Sequence, residues 1–148
     1  MPTSTLSGGA LVALVRRTLR PVAVARLAAE AEGAGWGGTG SSYGITCWQA
    51  PVRQVADAWT TLAAIATATE RLRLGPMIMA SLAARRPKVA RETATFDRLS
   101  NGRLTLVVGI GGDRVGRELS ATGEQLDHRR RDQMLDESLA DPHGRLVR

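Results

Sequence analysis

Arg85 to Gly112 reads RRPKVARETATFDRLSNGRLTLVVGIGG: in succession a helix start, a helix, a tight stop, an apolar strand and a glycine-rich turn. Pro87 stands where a first-turn proline is tolerated, and Val89, Thr93, Phe96 and Leu99 recur at the spacing that shares one helical face. Asn101-Gly102 ends the helix, because glycine reaches the left-handed cap conformation without a Cβ penalty. Leu104 to Val108 is rich in β-branched residues and too short for a helix, so a strand covered on both faces is expected, as in a parallel sheet. The side-chain-poor backbone of Gly109-Ile110-Gly111-Gly112 then emerges at its carboxyl end. Ligands bind at that end of parallel α/β sheets, where strand exits converge with the amino termini of the following helices.

The same helix-stop-strand order recurs on either side. Residues 1–9 are Ser/Gly-rich and expected to be loose, and Ala10 to Val15 predicts a first strand. Pro21 opens a helix with Val24, Leu27, Ala28 and Ala31 on one face, closed by Gly33 and Gly35. Trp36 to Trp48 contains a second, glycine- and serine-rich strand. Asp57 is positioned to cap a helix carrying Leu62, Ile65, Ala66 and Thr69, ending near Arg71. Leu72 to Ala80 predicts a third strand. Pro76 cannot donate a ladder hydrogen bond, so with Gly75 beside it a bulge is expected. After the fourth strand, Arg103 to Gly109, one helical tail from Val115 to Leu139 is expected, and residues 140–148 read as an irregular end. The pattern is one α/β domain over residues 1–148, of about four parallel βα units. A closed barrel takes about 250 residues. The fold class is therefore a small open sheet or a partial TIM barrel.

Composition sets bounds. With 43% hydrophobic residues in 148, a real core can form, but at 3% aromatic it must be built from aliphatic side chains. The formal charge of +6 is carried almost wholly by arginine, Lys88 being the sole lysine. Cys47 has no partner for an intrachain disulfide, which fits a reducing cytoplasm. The apolar run at residues 10–15 is too short to span a bilayer, so no membrane association is expected.

Specific motifs are few. A dinucleotide fingerprint starting at Gly109 and Gly111 would require glycine where Arg114 stands, and a P-loop from Gly111 to Gly116 would require Lys-Ser/Thr where Arg117-Glu118 stands. Neither is present. What remains is a turn whose backbone N–H groups can approach a flat or anionic ligand closely. His128 and His143 lack partners at metal spacing, so no metal site is expected. Arg129-Arg130-Arg131 is interleaved with Asp127, Asp132, Asp136 and Glu137, the pattern of a solvated helix more than of a phosphate-tracking patch. A basic nucleic-acid-binding module is the competing class, weakened because the arginine clusters Arg16-Arg17, Arg85-Arg86 and Arg129 to Arg131 fall in different units and lack interleaved aromatic residues for base stacking.

ADAWTTLAAIATATERLRLGPMIM, RRPKVARETATFDRLSNGRLTLVVGIGG and RRRDQMLDESL together resemble the amino-terminal half of the luciferase-like flavin-dependent oxidoreductases, over about Val22 to Leu139. The resemblance implies the first four units of a (β/α) barrel and FMN or coenzyme F420 as cofactor. It implies monooxygenation or F420-linked hydride transfer on a small-molecule substrate, and homo-oligomers or other self-association. In that family the isoalloxazine rests against a bulge in the third strand, which maps onto Gly75 to Met79, and the glycine loop lines the same cavity. Met77, Ile78 and Met79 would back the ring, Gly109, Gly111 and Gly112 would admit it, and Asp113 is the nearest polar contact. Ser42, Tyr43 and Gly44 stand where relatives often carry an acidic residue and histidine, so no catalytic acid or base is assigned. Lys88 replaces a usual tryptophan. The family's phosphate-holding loops lie later than Leu139, after which ADPHGRLVR departs from the pattern. A truncated chain with impaired turnover, or an inactive remnant, is the corresponding expectation.

Overall fold

The computed structural model describes residues 10–13, 20–36, 38–41, 56–76, 78–79, 86–114 and 117–140. Strand β1 (Ala10–Ala13), helix α1 (Pro21–Gly33), β2 (Gly38–Ser41), α2 (Ala58–Ala68), β3 (Arg73–Pro76) and α3 (Arg86–Leu99) alternate along the chain. They are followed by α4 (Glu118–Thr122) and α5 (His128–Leu139). The strands form a parallel sheet in the order β1-β2-β3, with Ala10 opposite Gly38 and Gly38 opposite Arg73.

Local chemistry fixes the helix ends. Pro21 occupies the first turn of α1, and the helix closes with Trp36 N–H donating to the Ala31 carbonyl and Gly35 N–H to that of Glu32, Gly35 having φ +87°. That paired pattern is the Schellman closure, and the left-handed residue it needs is glycine. Asp57 caps α2, its carboxylate accepting from the Thr60 N–H at 2.8 Å and the Thr60 hydroxyl at 2.9 Å. α3 ends in the same closure with Asn101 at φ 53° and Gly102 at φ 76°, Gly102 N–H reaching the Asp97 carbonyl at 2.9 Å.

One core lies between the helices and the sheet. Val24, Ala25 and Ala28 of α1, Leu62, Ile65 and Ala66 of α2, Leu72, Leu74 of β3 and Phe96 of α3 form it, with Leu104 packed against it. A second cluster joins Met79 and Val89 to Trp59, Leu106, Val108 and Leu135. Trp59 touches both clusters and packs its ring at 57° to that of Phe96, centroids 5.6 Å apart.

Several expectations are corrected. Leu27 and Leu99 are exposed: the buried face of α1 turns through Val24, Ala25, Ala28 and Glu32 instead. The helical tail is two helices, because Gly123 takes φ +70° as the cap of α4 and Asp127 starts α5 by accepting from the Arg130 N–H. The fourth strand is not regular. It runs parallel to β3 but joins it through isolated bridges, Leu74 to Leu104 and Met79 to Val108. Nor is it covered on both faces, since Thr105 and Val107 are exposed while Leu104, Leu106 and Val108 face the helices. Residues 14–15, 42–48, Met77, Ala80 and the ends of the chain lie outside the described residues.

Candidate functional site

The irregular pairing is the key to the site. Between the two bridges β3 advances five residues, 74 to 79, while the opposing segment advances four, 104 to 108. The third strand therefore carries one extra residue, which is a β-bulge. Four backbone hydrogen bonds frame it: Leu74 N–H to the Arg103 carbonyl, Thr105 N–H to that of Leu74, Met79 N–H to that of Val107 and Gly109 N–H to that of Met79, at 2.7–3.1 Å. Inside it, a Cβ built on Gly75 would sit 1.7 Å from the Thr105 carbonyl oxygen. Only glycine admits that approach.

An extra residue reverses the alternation of side chains beyond it. Leu74 and Met79 both face the helices despite their odd separation, Leu74 in the first cluster and Met79 in the second. Ile78 is thereby turned to the opposite, open face, where it is 54% exposed. Read without the bulge, Leu74 and Ile78 would share a face. Gly109 lies against Ile78, its built Cβ meeting Ile78 Cγ2 at 3.0 Å, and Gly112 has nothing within 4 Å of a built Cβ. Gly111 takes φ +70°, a left-handed conformation that glycine supplies without strain. An apolar side chain and the backbone of Gly109, which opens the glycine-rich loop, thus adjoin at the carboxyl end of the sheet.

The predicted site residues divide accordingly. Gly109 lies beside Ile78, Gly111 and Gly112 follow it along the loop, Met79 is turned into the helical layer, and Met77 lies outside the described residues. Asp113 reaches forward along the chain. Its Oδ1 accepts from the Leu119 N–H at 3.0 Å and the Ser120 N–H at 2.9 Å, tying the loop exit to α4. The Ser120 amide, helped by the Ser120 hydroxyl, the Leu119 amide and the Arg117 charge, holds the Asp113 carboxyl below its usual range against partial desolvation.

Two residues escaped the sequence reading. Arg131 does not join Arg129 in solvent: its Nε donates to the Ile110 carbonyl at 3.0 Å and its Nη1 to the carbonyls of Gln125 and Leu126. Glu32 is buried at the opposite end of the sheet. Its carboxylate accepts from the N–H groups of Glu70 and Arg71 at 2.8–3.2 Å, and the Arg71 guanidinium returns to the Glu32 carbonyl. Burial works to raise the Glu32 pKa, but those two amides with the charges of Arg71 and Arg103 outweigh it and leave the group below its usual value. Arg103 completes this base by donating to Ser100, Thr69, Leu72 and Ala66 oxygens. A helical pattern cannot reveal which charged side chain meets a distant carbonyl or amide, so neither role was legible.

Away from the loop, a groove of about 270 Å³ runs between α2 and α3, lined by Trp59, Ala63, Arg91, Glu92, Thr95, Phe96 and Leu99. Among the described residues no group of three or more His, Cys, Asp or Glu side chains could hold a metal ion, and no helix is long and apolar enough to cross a membrane.

Comparison with known proteins gives structures of similar fold. An F420-dependent secondary alcohol dehydrogenase, solved with an F420–acetone adduct, is similar at 25% identity and TM-score 0.74 over 88% of this chain and 39% of its own. The FMN complex of the oxygenating constituent of 3,6-diketocamphane monooxygenase from Pseudomonas putida superposes at TM-score 0.71 and 18% identity, covering 89% of this chain and 37% of that one. The coenzyme F420-dependent tetrahydromethanopterin reductase from Methanopyrus kandleri gives TM-score 0.63 at 21% identity, over 78% of this chain and 30% of its own. The chain thus spans well under half the length of these enzymes. The family model for luciferase-like monooxygenases matches residues 5–140, and the chain belongs to that family.

Proposed function

We propose that this chain forms the cofactor-facing front of a β/α-barrel oxidoreductase using FMN or coenzyme F420 on a small-molecule substrate. The observation that carries the reading is the bulge, which turns Ile78 onto the open face beside Gly109, the first residue of the glycine-rich loop. Strand order supports it. β1, β2, β3 and the segment 104–108 are added at one edge without reversal, and α1, α2 and α3 share one core on one side of the sheet. Doubly wound folds reverse their order and carry helices on both faces, whereas a barrel is wound in one direction with helices outside.

In this reading Ile78 backs the ring, Met79 being turned away into the helical layer, and Gly109, Gly111 and Gly112 admit it. Asp113 fixes the loop's exit. The bound cofactor would supply the redox chemistry, hydride transfer or oxygen activation, and the protein supplies shape, orientation and exclusion of water. The two branches of the family make FMN and F420 the probes to compare.

The test is a titration of the purified chain with each cofactor, followed by fluorescence quenching. Weak saturable quenching by one cofactor, abolished in Ile78→Asp, is expected. Quenching by neither, or quenching that Ile78→Asp and Gly112→Val leave intact, would contradict the reading.

A further inference from the structure

Arg129, Arg130 and Arg131 are consecutive on α5 yet do different things. Arg129 is exposed, and Arg130 reaches Gln133 and Glu137 at the surface. Arg131 alone turns inward, half-buried, to the carbonyl of Ile110 in the middle of the glycine loop, and it anchors the approach to α5 through the carbonyls of Gln125 and Leu126. A guanidinium fork can hold several carbonyls in fixed geometry, which a lysine ammonium cannot.

The consequence follows from peptide geometry. The Ile110–Gly111 peptide is planar and trans, so its N–H points opposite to its C=O. With the carbonyl drawn toward α5, the Gly111 N–H is aimed away from α5, and among the described residues it has no acceptor. The loop is too poor in side chains to hold that orientation itself, glycine being free on both sides of φ = 0. We propose that Arg131 is a positioning residue: by holding the Ile110 carbonyl it sets the Gly111 N–H as a hydrogen-bond donor to an acceptor atom on the edge of a flat heterocyclic ligand. Asp113 secures the loop's other end on α4, so the donor is preorganised before a ligand arrives. The ligand's identity as a flavin-type ring rests on the function proposed above; the clamp itself does not.

Two readouts separate these layers. Amide 15N relaxation of Ile110, Gly111 and Gly112 in the free protein reports the clamp, and the quenching titration with FMN and F420 reports the ligand. Arg131→Ala should lower the order parameters of these loop amides toward those of a flexible segment and weaken cofactor binding by roughly tenfold, the scale of losing a charge-assisted hydrogen bond. Millimolar guanidinium should restore part of both, Arg131→Lys should behave like Arg131→Ala, and Arg130→Ala should behave as wild type. If Arg131→Ala fails to fold, Arg131→Lys, which keeps the stem and the charge, gives the same two readings. Unchanged loop order in Arg131→Lys, or full retention of affinity by it, overturns the proposal. Binding of neither cofactor by the wild type would refute the flavin assignment, while greater loop mobility in the variants would still establish the clamp.

Discussion

At Gly75 a single hydrogen atom decides the local backbone. The Thr105 carbonyl occupies the place a Cβ would take, so Gly75→Ala must push the two strands apart or abolish the bulge. Overpacking of that kind costs about 1–3 kcal/mol, here with backbone as the rigid partner, and should appear as a lower urea midpoint together with loss of any cofactor quenching. Glu32 gives a second prediction, with a pH signature. Its folded pKa lies below the ordinary 4.5, so its stabilisation is complete above that value and is lost as pH falls through the folded pKa. Glu32→Gln should cost about 1–3 kcal/mol near neutral pH, since one carbonyl oxygen replaces a carboxylate that two amides share. The gap between variant and wild-type melting temperatures should narrow as the pH drops below the 4.5 reference. A gap independent of pH would mean that Glu32 acts by packing alone.

Elements were legible to the extent that local chemistry ends them. Pro21, Asp57 and the Asn101-Gly102 pair mark boundaries where the structure has them, because a fixed φ, a side-chain acceptor and a left-handed residue act within a few residues of the chain. The bulge was legible as an event, from Gly75-Pro76, but its effect on side-chain direction was not. That effect depends on register against residues 104–108, a non-local quantity, and ignoring it places Leu74 and Ile78 on one face. The break of the tail at Gly123 was missed because a lone glycine is tolerated within helical patterns, and here the downstream cap Asp127 settles the matter. Asp57→Ala should therefore cost about 1 kcal/mol through loss of the α2 cap. Gly123→Ala should cost about as much, through a left-handed φ that alanine resists. Thermal melts of each variant would check both.

Among the described residues, helices cover one face of the sheet, and Ile78 and Val107 stand exposed on the other. The helices bury Leu74 and half-bury Leu104, Leu106 and Val108, whereas Ile78 and the 43%-exposed Val107 look out on the opposite side. Each ~100 Å² of apolar surface left in water forgoes about 2.5 kcal/mol, a large fraction of a small domain's stability. We therefore expect self-association in light-scattering chromatography and binding of a hydrophobic dye, both reduced in Val107→Lys; a monodisperse wild-type monomer that binds no dye would refute this. The central claim, that a flavin-type ring lies on the bulge and glycine loop, is tested most directly by an amide-resolved NMR titration of the chain with FMN and with F420. The account predicts that the resonances of Ile78, Gly109, Gly111 and Gly112 move with one cofactor while those around Glu32 and Arg103 stay fixed. Shifts confined to the outer groove at Trp59, Phe96 and Leu99, or to the base of the sheet, would contradict it.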